Sequence, residues 1–147
     1  MQNKLGIITS MKIIICSSIT AAEEVIALRD QLQKLGHEVE IPEGVKSEWS
    51  RGRTEVNTEE KAQDKIQGNL IRGYYEKMKN YDSVLIVNPE KRGVKGYIGG
   101  NTFIEMAFAH VLDKNLYVMY PIPDMPYTSE ILAMQPIVIN GDLSLLV

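Results

Sequence analysis

Lys12-Ile-Ile-Ile-Cys16, running on into Ser17-Ser-Ile-Thr20, is the stretch on which the fold turns. A strand with one wet face alternates apolar and polar residues. A short unbroken apolar run rich in β-branched side chains predicts instead a strand buried on both faces, as in a parallel sheet covered by helices. The period changes directly afterwards. Val25, Leu28, Leu32 and Leu35 recur at helical spacing, which predicts a helix from Thr20 to Gly36. Thr20 and Glu23 fit a capping box at its start, and Gly36 suits its C-cap.

The same unit repeats along the chain. Val39–Ile41, Ser83–Val87, Leu116–Met119 and Ile137–Ile139 read as further short strands. Thr58–Asn80 reads as a polar helix with Ile66, Leu70, Tyr74 and Met78 four apart, weakened by Gly68 and Gly73. Asn101–Leu112 and Ser129–Met134 read as two more helices. Pro42–Asn57, which holds Trp49, Arg51 and Arg53, has no period and reads as a loop; Pro89–Gly100 is a glycine-rich loop. Strands alternating with helices predict an α/β fold with a parallel sheet. Right-handed crossovers leave few arrangements, of which the five-stranded flavodoxin-like (Rossmann-like) order 2-1-3-4-5 is expected, with helices on both faces. In that order a crevice opens outside the carboxyl ends of strands 1 and 3. Ser17 and Ser18 follow the first of these and Asn88 the other.

The bulk properties agree with one domain. The chain has 147 residues, 44% hydrophobic and 24% charged, enough to bury a core without staples. Residues 1–10 read as an N-terminal extension, because Met11-Lys12 before an apolar run looks like an alternative start, and residues 11–147 as the domain. A net charge of −3 argues against a nucleic-acid partner. No apolar run is long enough to span a membrane, and the N-terminal residues lack the apolar length of a signal peptide. A single cysteine, Cys16, makes no internal disulfide and suits the cytoplasm. His37 and His110 lack ligand companions, so neither a metal nor another cofactor is expected.

Glu105 stands out among candidate site residues because it lies in Asn101-Thr-Phe-Ile-Glu-Met-Ala-Phe-Ala109, with apolar neighbours on both sides. A carboxylate in such a helix is costly unless it is paired or functional. The competing reading is a capping box with Thr102, in which Glu105 closes its own helix. Gly99, Gly100, Asn101 and Thr102 form a glycine-rich entry to that helix, able to present backbone N–H groups to a polar ligand or simply to make a turn. Ser17, Ser18 and Thr20 offer the same at the first helix, against an ordinary cap. Asp82 opens the third strand, with a turn role as its alternative. Cys16 reads as a small core hydrophobe rather than a nucleophile.

Three segments together resemble the nucleoside 2-deoxyribosyltransferase family, including its 2′-deoxynucleoside 5′-phosphate N-hydrolase branch. They are Lys12-Ile-Ile-Ile-Cys-Ser-Ser-Ile19, Tyr81-Asp-Ser-Val-Leu-Ile-Val-Asn88, and Gly100–Met119 with its Glu-Met-Ala-Phe-Ala core. The resemblance implies that Glu105 attacks the sugar of a nucleoside or nucleoside 5′-monophosphate. It also implies a homodimer or higher homo-oligomer, an expectation to which the apolar, aromatic-rich tail Tyr117–Met134 adds. Three features depart from the family: Ile14 stands where it often has tyrosine, Thr20 where the phosphate-binding branch has arginine, and no carboxylate is matched in the helix before the middle strand. The expected activity is cleavage of an N-glycosidic bond by hydrolysis or deoxyribosyl transfer. A non-catalytic nucleotide-binding or signalling module, or an NAD-type glycohydrolase, are the alternatives.

Overall fold

Each strand of the sheet divides its residues between two cores. A computed structural model describes residues 9–46, 59, 66 and 69–147. In it Lys12–Ser17 forms β1, whose Ile13 and Ile15 point to one core while Ile14 and Cys16 point to the other. Ser83–Val87 forms β3 and Asn115–Val118 forms β4, and both alternate in the same way: Leu85, Val87 and Tyr117 lie on one side, and Val84, Ile86 and Val118 on the other. An apolar run without polar interruptions is the sequence such a double-faced strand requires. Glu38–Glu40 (β2) and Ile137–Val138 (β5) are the short, less buried edges. All neighbours are parallel, in the order β2-β1-β3-β4-β5, as expected.

Ala22–Lys34 is α1, on the Ile13/Ile15 face; Leu70–Met78 (α2), Gly100–Val111 (α3) and Thr128–Ala133 (α4) cover the other. Gly36 ends α1 as expected. It takes φ +94°, donates to Gln33 O at 2.9 Å, and lets His37 N–H reach Leu32 O at 3.1 Å, the paired bonds of a Schellman stop. Asp113, at φ +56°, closes α3 by the same pattern through Asp113 N–H to His110 O and Lys114 N–H to Ala109 O.

Several sequence expectations change. The Thr20–Glu23 capping box does not form; Ser18 caps a short 3-10 turn, Ile19–Ala21, and α1 begins only at Ala22. Residues 43–46 are helical rather than loop, with Lys46 N–H closing a turn on Pro42 O at 3.1 Å. Trp49, Arg51, Arg53 and Gly68 lie outside the described residues, as do residues 1–8. No single helix runs from Thr58 to Asn80. Glu59 and Ile66 are helical, but Asn69 adopts φ +50°, a left-handed conformation that asparagine tolerates better than most residues, and α2 starts after it. The tail Tyr117–Met134 is partly covered by its own chain, since Tyr117, Met119 and Ile131 are buried and Phe103 stacks on Tyr127 at 4.5 Å.

Candidate functional site

Parallel strands deliver all their carboxyl ends to one edge of the sheet, and the crevice beside β1 and β3 is where their following loops diverge. A cleft of about 720 Å³ opens there, a size that suits a nucleotide-scale ligand. Its walls are the turn after β1, the exposed side of α2, the loop between β3 and α3, and the first turns of α3.

Glu105 sits in that wall, one turn inside α3, and is 6% exposed. Asn101, one turn earlier on the same face, donates from Nδ2 to its Oε1 at 3.4 Å. The alternative capping role is not what the helix uses. Its N-cap is Gly99, and the first intrahelical bond runs from Phe103 N–H to Gly99 O at 2.9 Å. Thr102 therefore falls within the first turn, and Glu105 lies beyond reach of a reciprocal cap. Two side chains share the buried neighbourhood of the carboxylate. Tyr74 lines the cleft and donates its hydroxyl to the Ile15 carbonyl. Burial, and then the charges of neighbouring groups that include Glu105, push the Tyr74 phenol and the Cys16 thiol well above their ordinary pKa values. Cys16 is thus a protonated, fully buried thiol, as its apolar run suggests.

Another part of the cleft is polar and cationic. Ser18 Oγ accepts the Thr20 N–H at 3.3 Å, lies 2.9 Å from Thr20 Oγ1, and accepts from Lys91 Nζ at 3.2 Å. Lys91 and Arg92 both stand over the Tyr97 ring, at 5.8 Å and 6.0 Å from its centroid. Ser18, Thr20, Lys91, Gly99 and Thr102 line one small niche of about 10 Å³ at the margin of the cleft. The serine turn and the glycine turn, separate in sequence, therefore meet. Ser17 lies at the same edge, buried, with its hydroxyl donating to Ser18 O at 3.0 Å.

A set of ion pairs closes the outer rim. Lys77 of α2 reaches Glu43 at 2.6 Å and Glu40 at 3.4 Å, while Lys46 reaches Glu40 at 2.7 Å. The hydrogen bond from Lys77 holds the Glu43 carboxyl below its ordinary pKa. Burial raises that of Glu40, but the bond from Lys46 and the other cationic contacts outweigh it, and it too lies low. Such half-exposed pairs add little stability; they fix helix 43–46 against α2 at the cleft.

Two expected site residues are placed elsewhere. Asn88 follows β3 but faces inward: Nδ2 donates to Gly96 O at 3.1 Å and Tyr120 O at 3.3 Å, and Oδ1 accepts the Tyr120 N–H at 2.9 Å. Its amide is spent on tying the β3–α3 loop to the end of β4. Gly96 completes that knot, with φ +70° and no room for a side chain, since a Cβ would sit 2.2 Å from Pro121 O. Asp82 is at the other edge of the sheet. Oδ2 accepts the Lys12 N–H at 3.0 Å, which pins β3 to β1 far from the cleft.

Lys91, Arg92, Glu43 and Lys77 line the cleft although no motif in the sequence alone marks them as site residues. The signal for the first pair was present. Lys91-Arg92 lies in the loop after β3, which strand order already assigns to the crevice. Among the described residues no group of three His, Cys, Asp or Glu side chains could hold a metal, and no helix is long and apolar enough to cross a membrane. No protein-family model, curated protein or solved structure matches the chain.

Proposed function

We propose that the protein cleaves the N-glycosidic bond of a nucleoside 5′-monophosphate, a deoxynucleotide in the first instance, with Glu105 as nucleophile. The single observation that carries this reading is a nearly buried carboxylate in the wall of a nucleotide-sized cleft whose lining also gathers hydroxyls and two cations.

The chemistry asks for that division. Breaking the C1′–N bond builds positive charge at C1′, and a carboxylate on the opposite face stabilises it and adds to the carbon, as in retaining glycosidases. The base leaves with the bonding electron pair and takes up a proton. Water, or a second base, then attacks C1′, the ester bond breaks, and Glu105 is freed. Asn101 orients the attacking oxygen through its hydrogen bond. A 2′-deoxy sugar lacks the hydroxyl that disfavours cationic character, hence the preference for deoxy substrates.

Lys91 and Arg92 supply the positive charge that Thr20 cannot, at the site where a phosphate would meet Ser18 and the first turn of the chain after β1. The same reading carries a homodimer or larger assembly. Ile104, Phe108 and Val111 lie on one face of α3 and Ile71 on the adjoining α2, with Val111 76% exposed and Ile71 43%. A monomer in light scattering at micromolar concentration would remove the assembly without touching the chemistry.

The experiment is a panel of deoxynucleosides and their 5′-monophosphates at low salt, with released base followed by chromatography. Release from the monophosphates in preference to the nucleosides is expected. Equal or better handling of the nucleosides would overturn the phosphate assignment, and no release from any member would overturn the enzyme.

A further inference from the structure

Glycine has recognisable structural reasons to occupy a position, and among the described residues two glycines have none of them. Gly36, Gly93, Gly96 and Gly141 hold positive φ angles that other residues avoid. A Cβ on Gly44 would press on Ile19 at 3.1 Å, and one on Gly99 would touch the Tyr97 ring at 3.4 Å. Gly73 and Gly100 differ. Neither takes a positive φ, and a Cβ built on either meets no atom within 4 Å. Gly73 lies inside α2, where glycine is a poorer helix former than every residue but proline. The fold gains nothing from it. Both glycines line the cleft, Gly73 on α2 and Gly100 at the start of α3.

We infer that the bare backbone at Gly73 is the seat of the ligand's base, a flat contact on which a two-ring purine lies, and that Gly100 leaves clearance for the sugar to approach Glu105. This rests on the nucleotide reading given above and adds to it the residue that sets which base fits. Tyr74, next to Gly73 in α2, and Phe108 of α3 also line the cleft, which gives a planar ring aromatic surface within the same cavity. A side chain at position 73 adds bulk to the cleft lining, because among the described residues no atom lies within 4 Å of a Cβ built there. A larger one takes volume from the longer base first.

The test uses the full chain carrying Glu105→Gln, so that ligand is not consumed, alone and combined with Gly73→Ala or Gly73→Leu. Binding of deoxyadenosine 5′-monophosphate and thymidine 5′-monophosphate is measured by calorimetry, with Tm recorded for each protein. Gly73→Ala is expected to raise Tm by about 2–4 °C, the return of ordinary helix propensity. Gly73→Leu is expected to weaken binding of the purine nucleotide about tenfold or more and that of the pyrimidine nucleotide less. If the leucine variant fails to fold, Gly73→Ala alone must still show weaker purine binding at a raised Tm. Undiminished binding of both nucleotides by Gly73→Leu overturns the inference and leaves the nucleotide reading standing. A fall in Tm for Gly73→Ala overturns it as well, since the glycine would then serve the fold. A parent protein that binds neither nucleotide overturns both.

Discussion

At the amino edge of the sheet, Asp82 accepts the Lys12 N–H at 3.0 Å, and Asn115 reaches Asp82 O and Ser83 Oγ, each at 3.5 Å. At the carboxyl edge, Ser18, Lys91, Asn101 and Glu105 line an open cleft. Both edges carry short polar residues at the ends of the same strands. At the amino edge those described here are spent on neighbouring backbone, which any strand end needs when it leaves the ladder. At the carboxyl edge the loops after β1 and β3 part in different directions, and their polar groups, among them Ser18 and Lys91, bond one another while lining an open space. Asn88 belongs by position to the second edge and by bonding to the first. Strand order locates the crevice, but bonding decides which of its residues remain to act there.

That contrast can be broken in several places. The largest stability effect is expected at Asn88. Asn88→Ala leaves the Tyr120 N–H and the Gly96 carbonyl without their buried partner, which costs about 3 kcal/mol in chemical denaturation. A loss below about 1 kcal/mol would return Asn88 to the list of ligand-facing residues. Next comes Lys91→Met, which keeps the stem and removes the charge. It should weaken binding of a nucleoside 5′-monophosphate about tenfold, roughly 1.4 kcal/mol, and leave that of the free nucleoside unchanged. Equal loss for both would place Lys91 in the frame of the site and not at a phosphate. Asp82→Ala removes one exposed clasp and should cost no more than about 1 kcal/mol, with base release unaltered. Slower base release in a folded Asp82→Ala protein would contradict its placement at the amino edge.

The smallest effect concerns pH. His37 is buried, and its Nδ1 accepts the Met11 N–H at 3.1 Å, a bond available only to the neutral ring. Burial lowers its pKa from the ordinary 6.5. The unfolded chain therefore takes up a proton near pH 6.5 before the native state does. Stability is fully present above that value and declines as pH falls from it toward the lowered native pKa. Denaturant midpoints measured across this range should lose part of their slope in His37→Gln. An unchanged slope would mean that another group titrates there.

The sheet was legible because its evidence is local and redundant. Ile13, Ile14 and Ile15 can share one strand only if both faces are dry, and Gly36 after Leu35 marks a helix end by a conformation few other residues accept. Helix beginnings were less legible. Ser18, Thr20 and Thr102 are all competent caps, and choosing among them depends on tertiary contacts such as Lys91 on Ser18 Oγ. The break at Asn69 was hidden because the spacing of Ile66, Leu70, Tyr74 and Met78 continues unaltered across a single left-handed residue. In the site, Glu105 was legible as a charge in an apolar helix. Lys91 and Arg92 were not, since two cations in a loop are ordinary until a fold brings both to one cleft and the lysine to a serine 73 residues away. Asp82 opens β3 and so belongs to the amino edge, where its turn role prevails, while the position of Asn88 after β3 does not say which way its amide turns.

The role proposed for Glu105 is to form a bond to C1′. The most direct measurement mixes the protein with a cleavable deoxynucleoside 5′-monophosphate, quenches the mixture in acid within the first turnover, and maps peptides by mass. The account predicts a deoxyribosyl phosphate adduct on the peptide containing Glu105, absent from Glu105→Gln, which keeps its Tm and releases no base. Base release at an undiminished rate by Glu105→Gln would contradict it.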